Sequence, residues 1–229
     1  QGHYRLTRKG AVLIGLPGVA ALIEHHKILY QDLLNPVGFF KGVEETQLSK
    51  FWPYVFGGGM DLKSSEVEKY SDLMSESQHL VAADTLAAVN IPSVCRFLDV
   101  GGGKGTFVSE LKKIYPKVDA AVFDLPGSHS ETSGHRCIIG SFKEDELPAG
   151  YDIISLVRIL YDHRDETIRD LLGKAYSALD KGGRLIVSEP MLGADRPTLW
   201  GDVYFAIYTL AMSTGKTRSP DQVSEFIKD

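Results

Sequence analysis

Phe97-Leu98-Asp99-Val100-Gly101-Gly102-Gly103-Lys104-Gly105-Thr106 is the stretch on which the reading of this 229-residue chain turns. The apolar run Val94–Val100 enters it, four glycines follow within five positions, and a helical pattern over Thr106–Ile114 opens directly after them. Glycines at a strand–helix junction let the backbone turn tightly and let a ligand approach with no Cβ in the way. A phosphate-binding loop needs Gly-Lys followed by Ser or Thr, whereas Lys104 is followed by Gly105. A dinucleotide fingerprint needs its third glycine three positions after the second, and counting from Gly103 that position is Thr106. A bare structural turn is the bland alternative, and four glycines weigh against it.

Working outward, the apolar runs Ala120–Phe123, Cys137–Ile139, Ile153–Val157 and Arg184–Ser188 read as buried strands, with a helix over Glu166–Leu179 before the last. Such alternation predicts an α/β fold, a doubly wound parallel sheet with right-handed crossovers. The crossover between the second and third strands is short, so its helix is expected to shrink to a turn. Upstream, His3–Gly10 reads as a short strand followed by basic residues, Gly18–Leu34 and Ser65–Val89 as helices, and Asn35–Asp61 as loop. Downstream, helices are predicted over Trp200–Met212 and Pro220–Lys228.

Within that frame the loop reads Asp-x-Gly-x-Gly-x-Gly: Asp99, Gly101, Gly103 and Gly105. This is the pattern of S-adenosylmethionine methyltransferases, in which Asp99 can counter the ammonium of the methionine moiety. Asp124 ends the next strand, where an acid can accept both ribose hydroxyls; alone it could equally cap a turn. A net charge of −5 argues against a dedicated nucleic-acid binder. Cys95 and Cys137 lack zinc-site spacing, no metal cluster is visible, and two thiols suit a reducing, cytoplasmic compartment. No apolar run reaches membrane-spanning length. Gln1 at the start, and a helical pattern running uncapped to Asp229, read as a fragment cut at both ends.

Asp99–Gly105, Phe123–Pro126, Gly140-Ser141-Phe142, Leu160–Glu166 and Gly182–Glu189, taken in order, resemble the plant and bacterial small-molecule O-methyltransferases. Ser155–His163 and Gly201–Ala206 look more closely like the carotenoid branch. Those enzymes are the hydroxyneurosporene (demethylspheroidene) O-methyltransferases of phototrophic bacteria, which methylate the tertiary 1-hydroxyl of acyclic carotenoids. The resemblance implies a Rossmann-like methyltransferase sheet, incomplete at the C-terminus because Asp229 precedes the family's last two strands, with an unpaired edge. It also implies that residues 1–60 are the end of a winged-helix-like dimerisation domain with a linker helix, and that residues 61–229 are catalytic. A homodimer, an apolar small-molecule substrate and contact with a membrane surface follow from the same likeness.

By resemblance, Gly101, Gly103, Gly105, Asp124 and Leu125 hold the cofactor, Phe142 packs on adenine, and Arg158 lies near it. Ser141 stands where the family has Asp, and Met74 falls near the spacing of a cofactor-contacting Met. The family's catalytic His is matched by Tyr161, its first supporting Glu by Glu189, and its second by Thr217. Histidine suits a phenol of pKa about 10, but a tertiary alcohol is a far weaker acid. Tyr161 is therefore expected to orient the hydroxyl, with Glu189 as the late proton acceptor. His163, in place of the motif's Trp, is a second candidate base or else a cofactor contact. Trp200, Val203, Tyr204, Ile207, Tyr208, Ala211 and Met212 recur at helical spacing. About half should be core; Trp200, Tyr204 and Tyr208 are the expected wall of an apolar channel. A phenol or polyketide acceptor, a non-catalytic S-adenosylmethionine binder, and a DNA-binding regulator suggested by Arg5, Arg8 and Lys9 are the alternatives.

Overall fold

The apolar runs on either side of the glycine loop pair in register. In the computed structural model, which describes residues 4–228 except 16, 44, 52–63, 127, 129–133 and 194, five strands form one sheet in the order β3-β2-β1-β4-β5. They are β1 (Arg96–Val100), β2 (Asp119–Asp124), β3 (Arg136–Ile139), β4 (Tyr151–Val157) and β5 (Leu179–Ser188), and every pairing is parallel. The order reverses between β1 and β4, and at such a switch point the strand ends splay to leave a crevice. A register irregularity between Tyr151 and Ile153 lets β5 begin earlier than the run Arg184–Ser188 announced. Its outer side pairs with no strand among the described residues.

Both faces are covered, as an all-parallel sheet requires. On one face Leu98, Val100, Ala121, Ile154 and Leu156 pack on Ile168, Leu171 and Ala175 of α7 (Asp165–Ala178) and on Val223 of α9 (Pro220–Lys228). On the other, Phe97, Ala120, Val122 and Ile153 meet Phe107, Val108 and Leu111 of α6 (Thr106–Ile114) and Ala82 and Leu86 of α5 (Ser64–Ala88). The alternation along β1 and β2 sends neighbouring residues to opposite clusters, which is the period-two rule at work.

The N-terminal part departs from expectation. Residues 4–7 form no strand, and helix α1 (Arg8–Gly15) begins at the basic residues that were expected to follow one. Thr7 starts it, its hydroxyl accepting from Gly10 N at 3.2 Å and its carbonyl from Ala11 N at 2.9 Å. Helix α2 (Pro17–Asp32) agrees with the pattern, but the supposed loop after it holds two short helices, α3 (Pro36–Lys41) and α4 (Gln47–Phe51). Asn35 caps α3 through Gly38 N, with Pro36 in its first turn; the Asp32 carboxylate takes Gln47 N and Leu48 N at the start of α4. Capping side chains, not apolar periodicity, make these helices, so periodicity missed them. The rest of that loop lies outside the described residues. The described part of the β2–β3 crossover is the expected turn, Ser128 N and Oγ both donating to Leu125 O.

The predicted helix over Trp200–Met212 is two segments. Leu199–Phe205 winds as a π-helix, and α8 (Ala206–Met212) continues it. Trp200, Val203, Tyr204 and Ile207 nonetheless share one face across the two segments, at the spacing read from the sequence. A third cluster joins these segments to α2, α3 and α4 through Leu29, Phe39, Leu48, Tyr161, Tyr208, Ala211 and Met212.

Asp99 is not a surface acid. It is 1% exposed, its Oδ1 accepts from Ser155 Oγ at 2.6 Å, and its Oδ2 is buried with no hydrogen-bond partner. A side chain at Gly102 would strike that carboxyl, so the loop folds down over it. The residue thus lies beneath the loop and supports it from there. Burial, opposed by the Ser155 hydrogen bond and aided by Asp124, pushes its pKa up to about 7. A raised carboxyl stabilises the fold below its unfolded pKa of about 3.9 and loses that contribution as pH climbs through its folded value. Asp99→Asn should therefore gain stability relative to wild type between about pH 4 and pH 7, and no more above about pH 8. Chemical denaturation at pH 5 and pH 8 reads this; an equal difference at both would contradict it.

Candidate active site

The carboxyl ends of β1, β2, β4 and β5 meet at the switch point. Gly101, Gly103 and Gly105 all have positive φ, at 71°, 54° and 78°. Two of them are also closed to side chains: a Cβ at Gly101 would strike Ile159, and one at Gly105 would come within 2.9 Å of His135. At Gly103 nothing lies within 4 Å, so here the backbone faces open space. Asp124 stands beside it at the end of β2, its Oδ2 accepting from Gly103 N and its Oδ1 from Leu125 N, both at 2.6 Å. Leu125 is 38% exposed at the rim.

On the β3 side, Ser141 Oγ accepts from Lys143 N at 3.3 Å and Ser141 N donates to Asp145 Oδ2 at 2.8 Å, closing a turn that carries Phe142. The Phe142 ring meets His163 edge-on, with centroids 5.3 Å apart. Burial, helped by Lys143 and Arg218, lowers His163 to about 4 and leaves it neutral. His163 is thus grouped with Phe142.

Arg158 ends β4 in the left-handed region, φ 60°. Non-glycine residues held there cluster at functional sites. Its guanidinium crosses to α5 and donates to Ser77 Oγ at 2.8 Å, Gln78 Oε1 at 3.4 Å and Met74 Sδ at 3.3 Å. The pairing of Arg158 with Met74 joins two residues that the sequence offered separately.

The 3-10 turn Leu160–Asp162 follows, and Glu189 organises it. Glu189 Oε1 accepts from Ile159 N and Leu160 N, each at 2.8 Å, while its Oε2 is buried without a hydrogen-bond partner. Burial raises Glu189 to about 7 against the pull of those N–H groups and Arg158. Asp162 is likewise pushed up by burial and by Glu189, although Arg158 and a hydrogen bond from Tyr161 oppose this. Arg218, 3% exposed along its side chain, clamps the same turn from the other side. It donates to Leu160 O, His163 O, Lys216 O and Asp165 Oδ1. Neither Asp162 nor Arg218 stood out in the sequence, because isolated charged residues in a loop give no pattern.

Tyr161 is 5% exposed and turns into the helical cluster, its ring centroid 6.2 Å from that of Phe205. The predicted channel residues divide there. Trp200 and Tyr204 line a cavity of about 390 Å³ with Leu29, Tyr30, Leu33, Leu199, Val203 and Ile207. Tyr208 does not: it is 3% exposed, and its hydroxyl is 2.7 Å from His25 Nε2. Ile207 of α8 takes the next wall position, and Tyr208, one residue further round, lies against His25. Tyr204 shares a short hydrogen bond with His26 Nδ1. His25 and His26 were passed over, although two adjacent histidines interrupting the apolar pattern Leu22, Ile23, Ile28, Leu29 were a visible signal.

A model of the O-methyltransferase domain family matches residues 30–229. The demethylspheroidene O-methyltransferase of Rhodobacter capsulatus is 44% identical over 232 residues, spanning 100% of this chain and 59% of the relative. That of Cereibacter sphaeroides is 44% identical over 236 residues, spanning 99% of this chain and 62% of the relative. The chain thus spans about three fifths of the length of these relatives. Among solved structures, the calicheamicin-biosynthesis methyltransferase CalO1 in its SAH-bound form superimposes with a TM-score of 0.74 at 22% identity, over 99% of this chain and 70% of that one. Human N-acetylserotonin methyltransferase in complex with SAM gives 0.67 at 23%, over 94% and 62%. At such identities the structures speak for the fold, a Rossmann-like methyltransferase sheet; the family model, matching most of the length, places the chain in the O-methyltransferase domain family.

Proposed function

We propose that this chain carries the site of an S-adenosylmethionine-dependent O-methyltransferase acting on the hydroxyl of a long apolar molecule, of the acyclic carotenoid class. The observation that carries the reading is the juxtaposition of two unlike surfaces. A glycine loop with a carboxylate beside its open position lies at the sheet edge, and an almost wholly apolar cavity lies in the helical layer, into whose cluster Tyr161 packs from the end of β4. The demethylspheroidene O-methyltransferases, similar along the whole chain, support the choice of acceptor.

The residues suit the cofactor. Asp124 has the acidity and position to take vicinal ribose hydroxyls, Gly103 leaves room for close approach, and Phe142 with His163 offers aromatic faces for a purine. When bound, S-adenosylmethionine supplies an electrophilic methyl group on a sulfonium sulfur. The protein's own work is then to place the acceptor oxygen in line and to exclude water. Tyr161, its backbone fixed by Glu189 and Arg218, orients the hydroxyl. Glu189 Oε2 takes the proton, and its affinity for one near neutral pH suits that task. The cavity holds one end of the acceptor, and its mouth at the exposed Tyr30, Leu199 and Trp200 suits loading from a membrane surface.

Calorimetric titration with S-adenosylhomocysteine should show binding, and Asp124→Ala should weaken it at least about tenfold, as loss of charge-assisted hydrogen bonds would. Absence of binding to folded wild-type protein would sink the reading. With methyl-labelled donor and a hydroxylated acyclic carotenoid, label should appear in the ether product. Glu189→Gln should lower turnover about 100-fold and Tyr161→Phe about tenfold, with S-adenosylhomocysteine affinity retained. Unchanged turnover in both variants would remove these two residues from the chemistry.

A further inference from the structure

Two charged side chains of α7 belong to none of the motifs and have no part in the chemistry above. Asp170 and Lys174 stand one helical turn apart, Oδ2 and Nζ separated by 2.9 Å, and they differ in exposure: the Asp170 side chain is 55% exposed, that of Lys174 only 11%. The helix accounts for the difference. Ile168, Leu171, Leu172, Ala175 and Ala178 form its buried face, and Lys174 follows Leu171 by three residues, at the border of that face. An ammonium drawn out of water is costly unless it is paired and hydrogen-bonded. Asp170 supplies one partner, and the second lies outside the helix: Lys174 Nζ donates to Phe142 O at 2.8 Å.

That carbonyl belongs to the turn after β3. Gly140 N donates to Asp124 O at 3.0 Å, so the turn leaves from beside the strand end whose carboxylate holds Gly103. Ser141 and Asp145 close it on themselves, Asp145 N donating to Ser141 O at 2.7 Å and Ser141 N to Asp145 Oδ2 at 2.8 Å. Lys174 ties the middle of the turn to a separate element. With its carbonyl held, Phe142 cannot rotate freely about ψ, and its half-buried ring is presented in one direction, at the margin of the core under α7 and edge-on to His163.

We propose that Lys174 is a positioning residue for the purine of the cofactor: by gripping Phe142 O it fixes the Phe142 ring as one wall of the purine site. The assignment rests on the cofactor reading above and extends it to α7, a helix that carries none of the site motifs. Lys174 acts through Phe142, and Asp170 serves only to neutralise it.

The test combines calorimetric titration of S-adenosylhomocysteine with saturation-transfer NMR of the same complex on the full chain. Lys174→Met keeps the aliphatic stem and removes the donor; it should weaken binding about tenfold. It should also lower transfer to the adenine H2 and H8 protons relative to the ribose H1′ proton. Lys174→Arg retains a cationic donor and should restore both, and Asp170→Asn should stay within about twofold of wild type. In a Phe142→Leu background, Lys174→Met should cost nothing further. The adenine-to-ribose ratio belongs to the bound ligand, so a merely less stable protein would leave it unmoved. Should Lys174→Met not fold, Lys174→Gln, whose amide falls one bond short of Phe142 O, is read in the same way. Wild-type affinity and ratio in the donor-less variant, or an undiminished effect in the Phe142→Leu background, overturn the role of Lys174 and leave the cofactor reading standing. Folded wild-type protein that binds no S-adenosylhomocysteine removes the cofactor reading itself.

Discussion

Parallel pairing of β1 with β2 on one side and β4 on the other is the constraint on which the remainder depends. The register sets Val100 opposite both Phe123 and Leu156, so the next residues on each strand emerge together. Gly101, Asp124 and Arg158 reach one edge of the sheet for that reason, and Glu189 joins them from β5, where Val157 faces Ser188. A one-residue slip would send every side chain of the moved strand to the opposite face. The register is secured by burial: Phe97, Leu98 and Val100 are fully buried, and Phe97 lies on the other face from Leu98 and Val100.

That edge concentrates negative charge in a place that water hardly reaches. Asp99, Asp162 and Glu189 each keep a buried oxygen without a hydrogen-bond partner, and each is raised towards neutrality chiefly by burial. Taking a carboxylate out of water is costly unless it is paired or protonated. Ser155, the N–H groups of Ile159 and Leu160, and Arg158 offset part of that cost. The result is a turn tied down by several independent contacts, with Arg218 gripping it from the far side. Such over-determination is what a strained residue such as Arg158 requires to stay in place.

The helical layer supplies a different chemistry. Its cavity is apolar, and its polar atoms are gathered into histidine–tyrosine pairs instead of being scattered. Trp200 and Tyr204 of the π-helical segment and Ile207 of α8 face the cavity, while Tyr208 turns into the core.

Much of the sheet was legible in the sequence. Short apolar runs bounded by turns mark β1 to β4, the amphipathic stretches mark α2, α5, α6, α7 and α9, and the glycine loop with Asp124 marks the cofactor edge; all depend on local spacing. The helices α1, α3 and α4 were not legible as helices, because side-chain caps at Thr7, Asn35 and Asp32 create them, and a cap is a geometric relation. Nor were the inward turn of Asp99, the clamp by Arg218 on a turn more than fifty residues away, or the meeting of α2 with the π-helix. These depend on burial and long-range contact, which arise only when distant segments pack together. Sequence alone determined the succession of strands and helices and the glycine loop between them, because these depend on local spacing; tertiary structure decided which polar groups are buried and which are left open, because packing brings distant segments together and consumes their partners.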